Sequence, residues 1–243
     1  MHEASLHEDN CFVTLTYAPG KLPPYGSLCH EDVQKFFRAL RKKLRKRVRF
    51  YMCGEYGEEH GRPHYHLCLF GVNFPDRILC GRSKSGHDFY SSDFLSSLWP
   101  HGSATVQELV RETASYCARY IMKKVLGDAA KSHYSVVDAD GVMHELRPEY
   151  AAMSLKPGIG AGWFRKFSGD VYPGDYVISN GAKRRPPRYY DKLARKAEID
   201  SDSVEFARVE RARAARDNCT PERLVVREVV HEARVRNLRR TGA

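Results

Sequence analysis

The sequence predicts an α+β fold: one antiparallel β-sheet with helices packed on one face, followed by a basic, largely helical C-terminal extension. Two observations predict it. Short alternating runs rich in β-branched and aromatic residues are interleaved with segments whose apolar residues recur at helical spacing. Their order, β-α-β-β-α-β-α, is that of helices laid over a single sheet.

Each element follows from its own pattern. Phe12-Val-Thr-Leu-Thr-Tyr17 alternates and reads as the first strand, closed by Ala18-Pro19-Gly20. Beyond the Pro23-Pro24 loop, Val33, Phe36, Phe37, Leu40 and Leu44 mark an amphipathic helix. Lys35, Arg38, Arg41, Lys42 and Arg45 make its outer side strongly basic, and the basic block assigned to this helix runs over 35–49. Residues 48–53 read as a second strand, 54–63 as a polar turn and 64–70 as a third strand. A Gly/Ser/Lys-rich loop over 81–87 precedes a short helix over 92–99. A fourth strand is expected over 103–109 and a second long helix over 111–126. Residues 130–180 are punctuated by Gly and Pro and read as irregular. The tail from Tyr190 is helical in pattern, in two segments broken near Asn218, with Thr220-Pro221-Glu222 as a helix start.

Composition narrows the function classes. At 42% hydrophobic and 29% charged, the 243 residues can bury a core and are not a disordered composition. No apolar stretch approaches the ~18 residues of a membrane span, and the polar, acidic start is not a secretory signal. Seven scattered cysteines without a C-x-x-C pair exclude a disulfide framework and a ribbon-type zinc site, and they suit a reducing cytosol. No phosphate-loop motif is present, so no nucleotide-driven motor is encoded. The net charge of +10 is uneven: residues 183–243 hold 17 Lys and Arg against 10 Asp and Glu, and residues 33–54 hold nine basic residues and no acid. Two basic blocks on a near-neutral body are the footprint of a polyanion binder, nucleic acid first. Arg41, Lys42, Arg45, Lys46 and Arg62 are the candidate nucleic-acid contacts, and the charge shift divides the chain into 1–182 and 183–243.

Two motifs carry chemistry. In Gly61-Arg62-Pro63-His64-Tyr65-His66, strand alternation puts His64 and His66 on one face and Tyr65 on the other. Two imidazoles so placed can share one metal ion. A third ligand should come from the neighbouring strand, where Glu55 lies just before the turn; Glu58 and Glu59 are substitutes deeper in the turn. Two imidazoles and a carboxylate leave metal positions open for water or a phosphate oxygen, as in a catalytic site. In the second motif, Tyr116, Tyr120 and Lys123 share one side of a helix, opposite Ala114, Cys117, Ala118, Ile121, Met122 and Val125. A phenol with a pKa of about 10 is a poor nucleophile unless a cation stabilises the phenolate; Lys123, with Lys124 beside it, offers that cation. The implied chemistry is transfer of a phosphodiester onto tyrosine.

Together these blocks resemble the HUH endonucleases, the rolling-circle replication initiators, and within them the initiation proteins of gokushovirus-type microviruses, which are single-stranded DNA bacteriophages. The likeness rests on the first strand, on Pro63-His64-Tyr65-His66 and on Tyr116-x-x-x-Tyr120-x-x-Lys123. Cys53-Gly-Glu-Tyr-Gly57, Leu98-Trp-Pro-His-Gly102, Pro157-Gly-Ile-Gly160 and Arg185-Pro-Pro-Arg-Tyr-Tyr190 extend it over residues 12–193. The resemblance implies an RRM-like sheet, His64 and His66 as metal ligands with Glu55 as acidic partner, and Tyr116 and Tyr120 as paired nucleophiles. It implies Mg²⁺ or Mn²⁺ as the ion, with Zn²⁺ also acceptable to imidazoles. It further implies a single-stranded viral DNA origin as substrate, a host helicase and polymerase as partners, no membrane, and the host bacterial cytoplasm as location. Two other readings compete. One makes the histidines and Glu55 a zinc hydrolase site; the other makes the chain a non-enzymatic RNA-recognition-type module with Tyr51 and Tyr65 exposed on the middle strands.

Overall fold

A computed structural model of the chain describes residues 1–57, 61–83, 85–119, 124–172, 174–199 and 202–240. They form two compact units, Met1–Ile159 and Gly160–Ala243. The division falls ahead of the 182/183 boundary taken from charge. Phe164, Tyr172 and Val177 share a core with Tyr190, Ala194 and Val204, so the segment before Lys183 folds with the tail.

In the first unit the strands are β1 (Asn10–Tyr17), β2 (Arg49–Tyr56), β3 (Pro63–Phe70), β4 (Ile78–Arg82), β5 (Asp88–Ser91), β6 (Gly102–Glu108), β7 (Ser135–Val137), β8 (Met143–Glu145) and β9 (Tyr150–Met153). Its helices are α1 (His30–Leu44), α2 (Asp93–Leu98), α3 (Arg111–Arg119) and α4 (Ala129–His133). Seven strands make one sheet in the order β4-β5-β6-β1-β3-β2-β9, with every neighbouring pair antiparallel, while β7 and β8 pair apart from it.

Strand alternation divides the side chains between two faces. On one face Val13, Leu15, Tyr17, Tyr65, Leu67 and Leu69 meet Val33, Phe36, Phe37 and Leu40 of α1 and Leu95 and Leu98 of α2. The α1 residues recur at i, i+3, i+4 and i+7, the stripe that buries one side of a helix. Each fully buried side chain of this kind contributes about 1.5–3 kcal/mol. On the other face Phe12, Cys53, Cys68 and Phe70 pack with Cys117 of α3 and with Ala4 near the N-terminus. The α+β class and the antiparallel sheet agree with the sequence reading; helices on a single face do not. Both faces of β1, β2 and β3 carry apolar residues, so both need cover, and α3 covers the second.

Several boundaries move for local reasons. Helix α1 ends at Leu44, where Arg45 turns left-handed with φ 50°. Lys46 to Arg49 therefore lie outside the helix that was to carry them. Residues 54–56 extend β2 instead of opening the turn, and the loop expected over 81–87 sits inside a β4–β5 hairpin. Residues 124–126 are not helical, so α3 stops short of the expected end. Part of the segment read as irregular adds β9 to the sheet edge beside β2.

The second unit contains α5 (Ala161–Val171), the hairpin β10 (Val177–Ser179) and β11 (Ala182–Arg184), α6 (Arg188–Lys196), α7 (Asp202–Ala214) and α8 (Pro221–Arg240). The hairpin turns through Asn180 and Gly181, both at positive φ, which is the pair that a two-residue primed turn favours. The expected break near Asn218 is a 3₁₀ turn over Arg216–Asn218, and the Thr220 hydroxyl accepts from the Arg223 N–H at 3.4 Å to begin α8. The tail thus holds three helices where two segments were expected.

Candidate active site

The site grows from the register of three adjacent strands. Glu55 of β2 and Thr16 of β1 flank His64 of β3; Cys53 and Thr14 flank His66. Because Cα partners across a sheet share a face, Thr14, Thr16, Glu55, His64 and His66 all point to the side covered by α3. The two imidazoles lie nearly parallel, with ring centroids 6.4 Å apart.

Both histidines are fixed by hydrogen bonds. His64 Nδ1 stands 2.6 Å from the Arg62 carbonyl oxygen, which can only accept, so Nδ1 carries the proton and Nε2 is left with its lone pair. Burial lowers the His64 pKa from the usual imidazole value, with His66 adding to the shift and the Arg62 carbonyl opposing it. A neutral ring with a defined tautomer is the form that binds a cation. His66 is buried: its Nε2 lies 2.8 Å from Glu55 Oε1 and its Nδ1 3.1 Å from the Thr14 hydroxyl. Glu55 is buried as well, at 3% exposure, so its carboxylate and His66 form a close pair away from bulk water.

Two imidazoles and one carboxylate fit a divalent cation in their chemistry, and His64 already has a tautomer able to ligate. His66 Nε2 instead faces Glu55, so a cation would take the place of the hydrogen bond between them. Among the described residues no three His, Cys, Asp or Glu side chains stand together in ligand geometry. The structure thus holds the donor set as a hydrogen-bonded pair with a neighbouring histidine.

Helix α3 brings the phenol. The Tyr116 ring stands edge-on to His66, with centroids 5.0 Å apart and planes at 87°, and also meets Phe12 at 6.5 Å. Cys117, one residue on, anchors the helix: its Sγ lies 3.4 Å from both Cys53 Sγ and the His66 carbonyl. Contact with Cys53 and Cys68, and then burial, pushes the Cys117 thiol pKa well up, so it packs as an apolar group and not as a nucleophile. Tyr116 is half-buried against the second core, whereas Ala118, expected on the buried side, is exposed. Tyr120, Lys123, Glu58 and Glu59 lie outside the described residues, and Lys124 is exposed.

The proposed nucleic-acid contacts do not gather here. Arg62 lies in the turn next to His64, but α1 packs on the face opposite the histidines. Arg41 stacks over Phe37 and Phe50, at 5.3 and 5.8 Å from their ring centroids, and Lys46 donates to the Gly71 carbonyl at 2.6 Å. Lys42 and Arg45 are exposed on that far side. Tyr65, which an RNA-recognition-type platform needs exposed, is fully buried. Thr14 was missed as a site residue; its signal was a polar residue on the same face of β1 as Phe12.

Known proteins share this layout. Residues 10–125 match the family model for the replication-associated protein ORF2. The chain is 30% identical over 203 residues to the replication-associated protein VP4 of Bdellovibrio phage phiMH2K, covering 80% of this chain and 61% of that protein. It is 30% identical over 220 residues to the replication-associated protein ORF2 of Spiroplasma virus 4, covering 85% and 64%. It is 28% identical over 214 residues to the replication-associated protein ORF4 of Chlamydia phage 1, covering 84% and 50%. The chain spans less than two thirds of the length of these curated relatives. No solved structure matches. The resemblance to gokushovirus-type replication proteins is borne out.

Proposed function

Because the chain is kin to phage replication-associated proteins, we propose that it is an HUH-type endonuclease that nicks and rejoins single-stranded DNA to begin and end rolling-circle replication. The observation that carries this is the meeting of Tyr116 from α3 with His66 from β3, itself bonded to Glu55 from β2. Three elements distant in sequence converge on a phenol, two imidazoles and a carboxylate.

The chemistry is a transesterification. The Tyr116 phenol oxygen bonds to the scissile phosphorus and the P–O3′ bond breaks. The phenol proton is released and the departing 3′ oxygen gains one, leaving a 5′-phosphotyrosyl link and a free 3′-OH. His64, His66 and Glu55 would hold a divalent cation, Mg²⁺ or Mn²⁺, which when bound supplies polarisation of the phosphate. Thr14 and Glu55 orient His66, and the Arg62 carbonyl orients His64. Tyr120 is the second nucleophile, attacking the regenerated junction after one round so that the released 3′-OH closes the circle. One phosphodiester is exchanged for another, so rejoining needs no nucleotide. A host polymerase extends the 3′ end and a host helicase unwinds ahead of it, in the bacterial cytoplasm.

The test is incubation with single-stranded viral DNA and Mn²⁺, followed by a denaturing gel. A protein–DNA adduct is expected that disappears in the Tyr116→Phe/Tyr120→Phe double variant. His64→Ala and His66→Ala should each remove nicking while the far-ultraviolet circular dichroism is kept. An adduct from the double variant, or full activity in chelator, would overturn this assignment.

A further inference from the structure

The second unit carries a pocket of about 540 Å³ whose lining is strongly cationic: Lys183, Arg184, Arg185, Arg208 and Arg211 against the single carboxylate of Asp175. The two kinds of cation differ. Arg208 and Arg211 are held from beneath. Asp175 is buried at 1% exposure, and its oxygens accept from Arg208 Nη2 at 2.6 Å and Nε at 3.0 Å, and from Arg211 Nη2. Arg208 Nη2 also reaches Asp191 Oδ1 at 2.7 Å. Burial alone would raise the Asp175 pKa, but the two guanidinium groups outweigh it and hold the carboxyl below its usual range. This network fixes the floor and neutralises Arg208.

Lys183, Arg184 and Arg185 form the wall. All three are exposed, and none makes an ion pair among the described residues. The β10–β11 hairpin presents the first two, and Lys183 Nζ sits 4.3 Å over the Tyr176 ring, a cation–π contact that holds it in place. Three cations on successive residues of extended chain are spread along a path, each advancing ~3.3 Å, and do not converge on one terminal phosphate. The pocket is also too small to admit a duplex, whose grooves alone are ~6–12 Å wide. A basic groove beside an aromatic ring is the composition that tracks a single strand.

We propose that this pocket is a sequence-independent binding site for the sugar–phosphate backbone of single-stranded DNA, with Arg184 and Arg185 as the phosphate contacts. It rests on the nicking proposal only for the choice of DNA over RNA; the site itself is separate from the histidines and Tyr116. It gives the second unit a role in holding the strand.

The test uses the full chain and a fluorescent oligo-dT, which contains no origin, with anisotropy read across a salt series. Arg184→Ala/Arg185→Ala lies off the Asp175 network, so its melting temperature should match wild type. Each lost contact should lower the slope of log K against log salt by about 0.7. At 0.15 M salt that is about fourfold per contact, so the double variant should bind about tenfold more weakly with a slope smaller by about 1.4. Unlabelled ATP should fail to displace the oligonucleotide at equimolar phosphate. Unchanged affinity and slope in a folded double variant would overturn the site, as would binding of ATP tighter than that of oligo-dT. Adduct formation on origin DNA is measured in parallel. If wild type makes the adduct but the slope does not respond, the pocket fails and the nicking proposal stands. If the slope responds and no adduct forms, the reverse holds.

Discussion

Tyr65→Phe separates the two faces of the histidine strand. Tyr65 lies between His64 and His66 yet points to the α1 side, where it is fully buried. Its hydroxyl accepts from the Cys29 N–H at 2.7 Å and donates to the Cys29 carbonyl at 2.9 Å, with Tyr17 Oη 3.4 Å away. Phenylalanine keeps the ring packing against Tyr17 and Trp99, so no apolar burial is lost. What goes is one oxygen serving two backbone groups. A buried group left unpaired costs about 1–3 kcal/mol. Cys29 is only half-buried, so water can replace part of the loss, and about 2 kcal/mol in total is expected. At about 2–4 °C per kcal/mol for a unit of this size, Tm should fall by about 4–8 °C. Thermal melting by circular dichroism measures the fall, and adduct formation well below the variant's Tm should match wild type. A Tm unchanged within about 1 °C would refute the hydrogen-bond account. Loss of the adduct from folded protein would show that Tyr65 serves the chemistry after all.

Gly102 pairs with Tyr17 across β6 and β1, and a Cβ there would stand 2.1 Å from the Thr16 carbonyl oxygen and 2.4 Å from the Ala18 nitrogen. Both are backbone atoms of the central strand or its end, so Gly102→Ala should destabilise by about 3 kcal/mol or more; a Tm within about 2 °C of wild type would contradict this. In the second unit, Asp175 and Asp191 have carboxyl pKa values held below the ordinary 3.8 by Arg208, with Arg211 also acting on Asp175, although burial opposes it. Folded values below the unfolded ones mean that their stabilisation is complete above about pH 4 and is lost as pH falls through the folded values. Asp175→Asn should cost about 2 kcal/mol at neutral pH, less than the ~3–5 kcal/mol of a fully buried pair because Arg211 is half-exposed. Melting series between pH 5 and pH 2.5 should fall less steeply in this variant than in wild type, and parallel curves would refute the linkage.

Local periodicity made much of the candidate site legible. Alternation alone puts His64 and His66 on one face of a strand, and a hairpin of β2 with β3 brings Glu55 beside them. The α1 stripe of Val33, Phe36 and Leu40 and the cap at Thr220 are also properties of a few neighbouring residues, and they appear as read. So does the antiparallel sheet, because its alternating runs can satisfy their backbone groups only by pairing.

Tertiary structure decided the rest. Alternation says that two sets of side chains part company, but not what covers each set. Phe12, Cys53, Cys68 and Phe70 form a second apolar face, and burying it places α3 opposite α1. That choice sets Tyr116 against His66 and leaves the basic surface of α1 on the far side. Thr14 joins His66 only because β1 pairs with β3 at that register, a contact across 52 residues. The unit boundary depends likewise on which core claims Phe164, Tyr172 and Val177. Residue spacing encodes the direction of a side chain within its own element. The partner it meets is set by competition for burial among segments far apart in the chain, and only the folded chain resolves that competition.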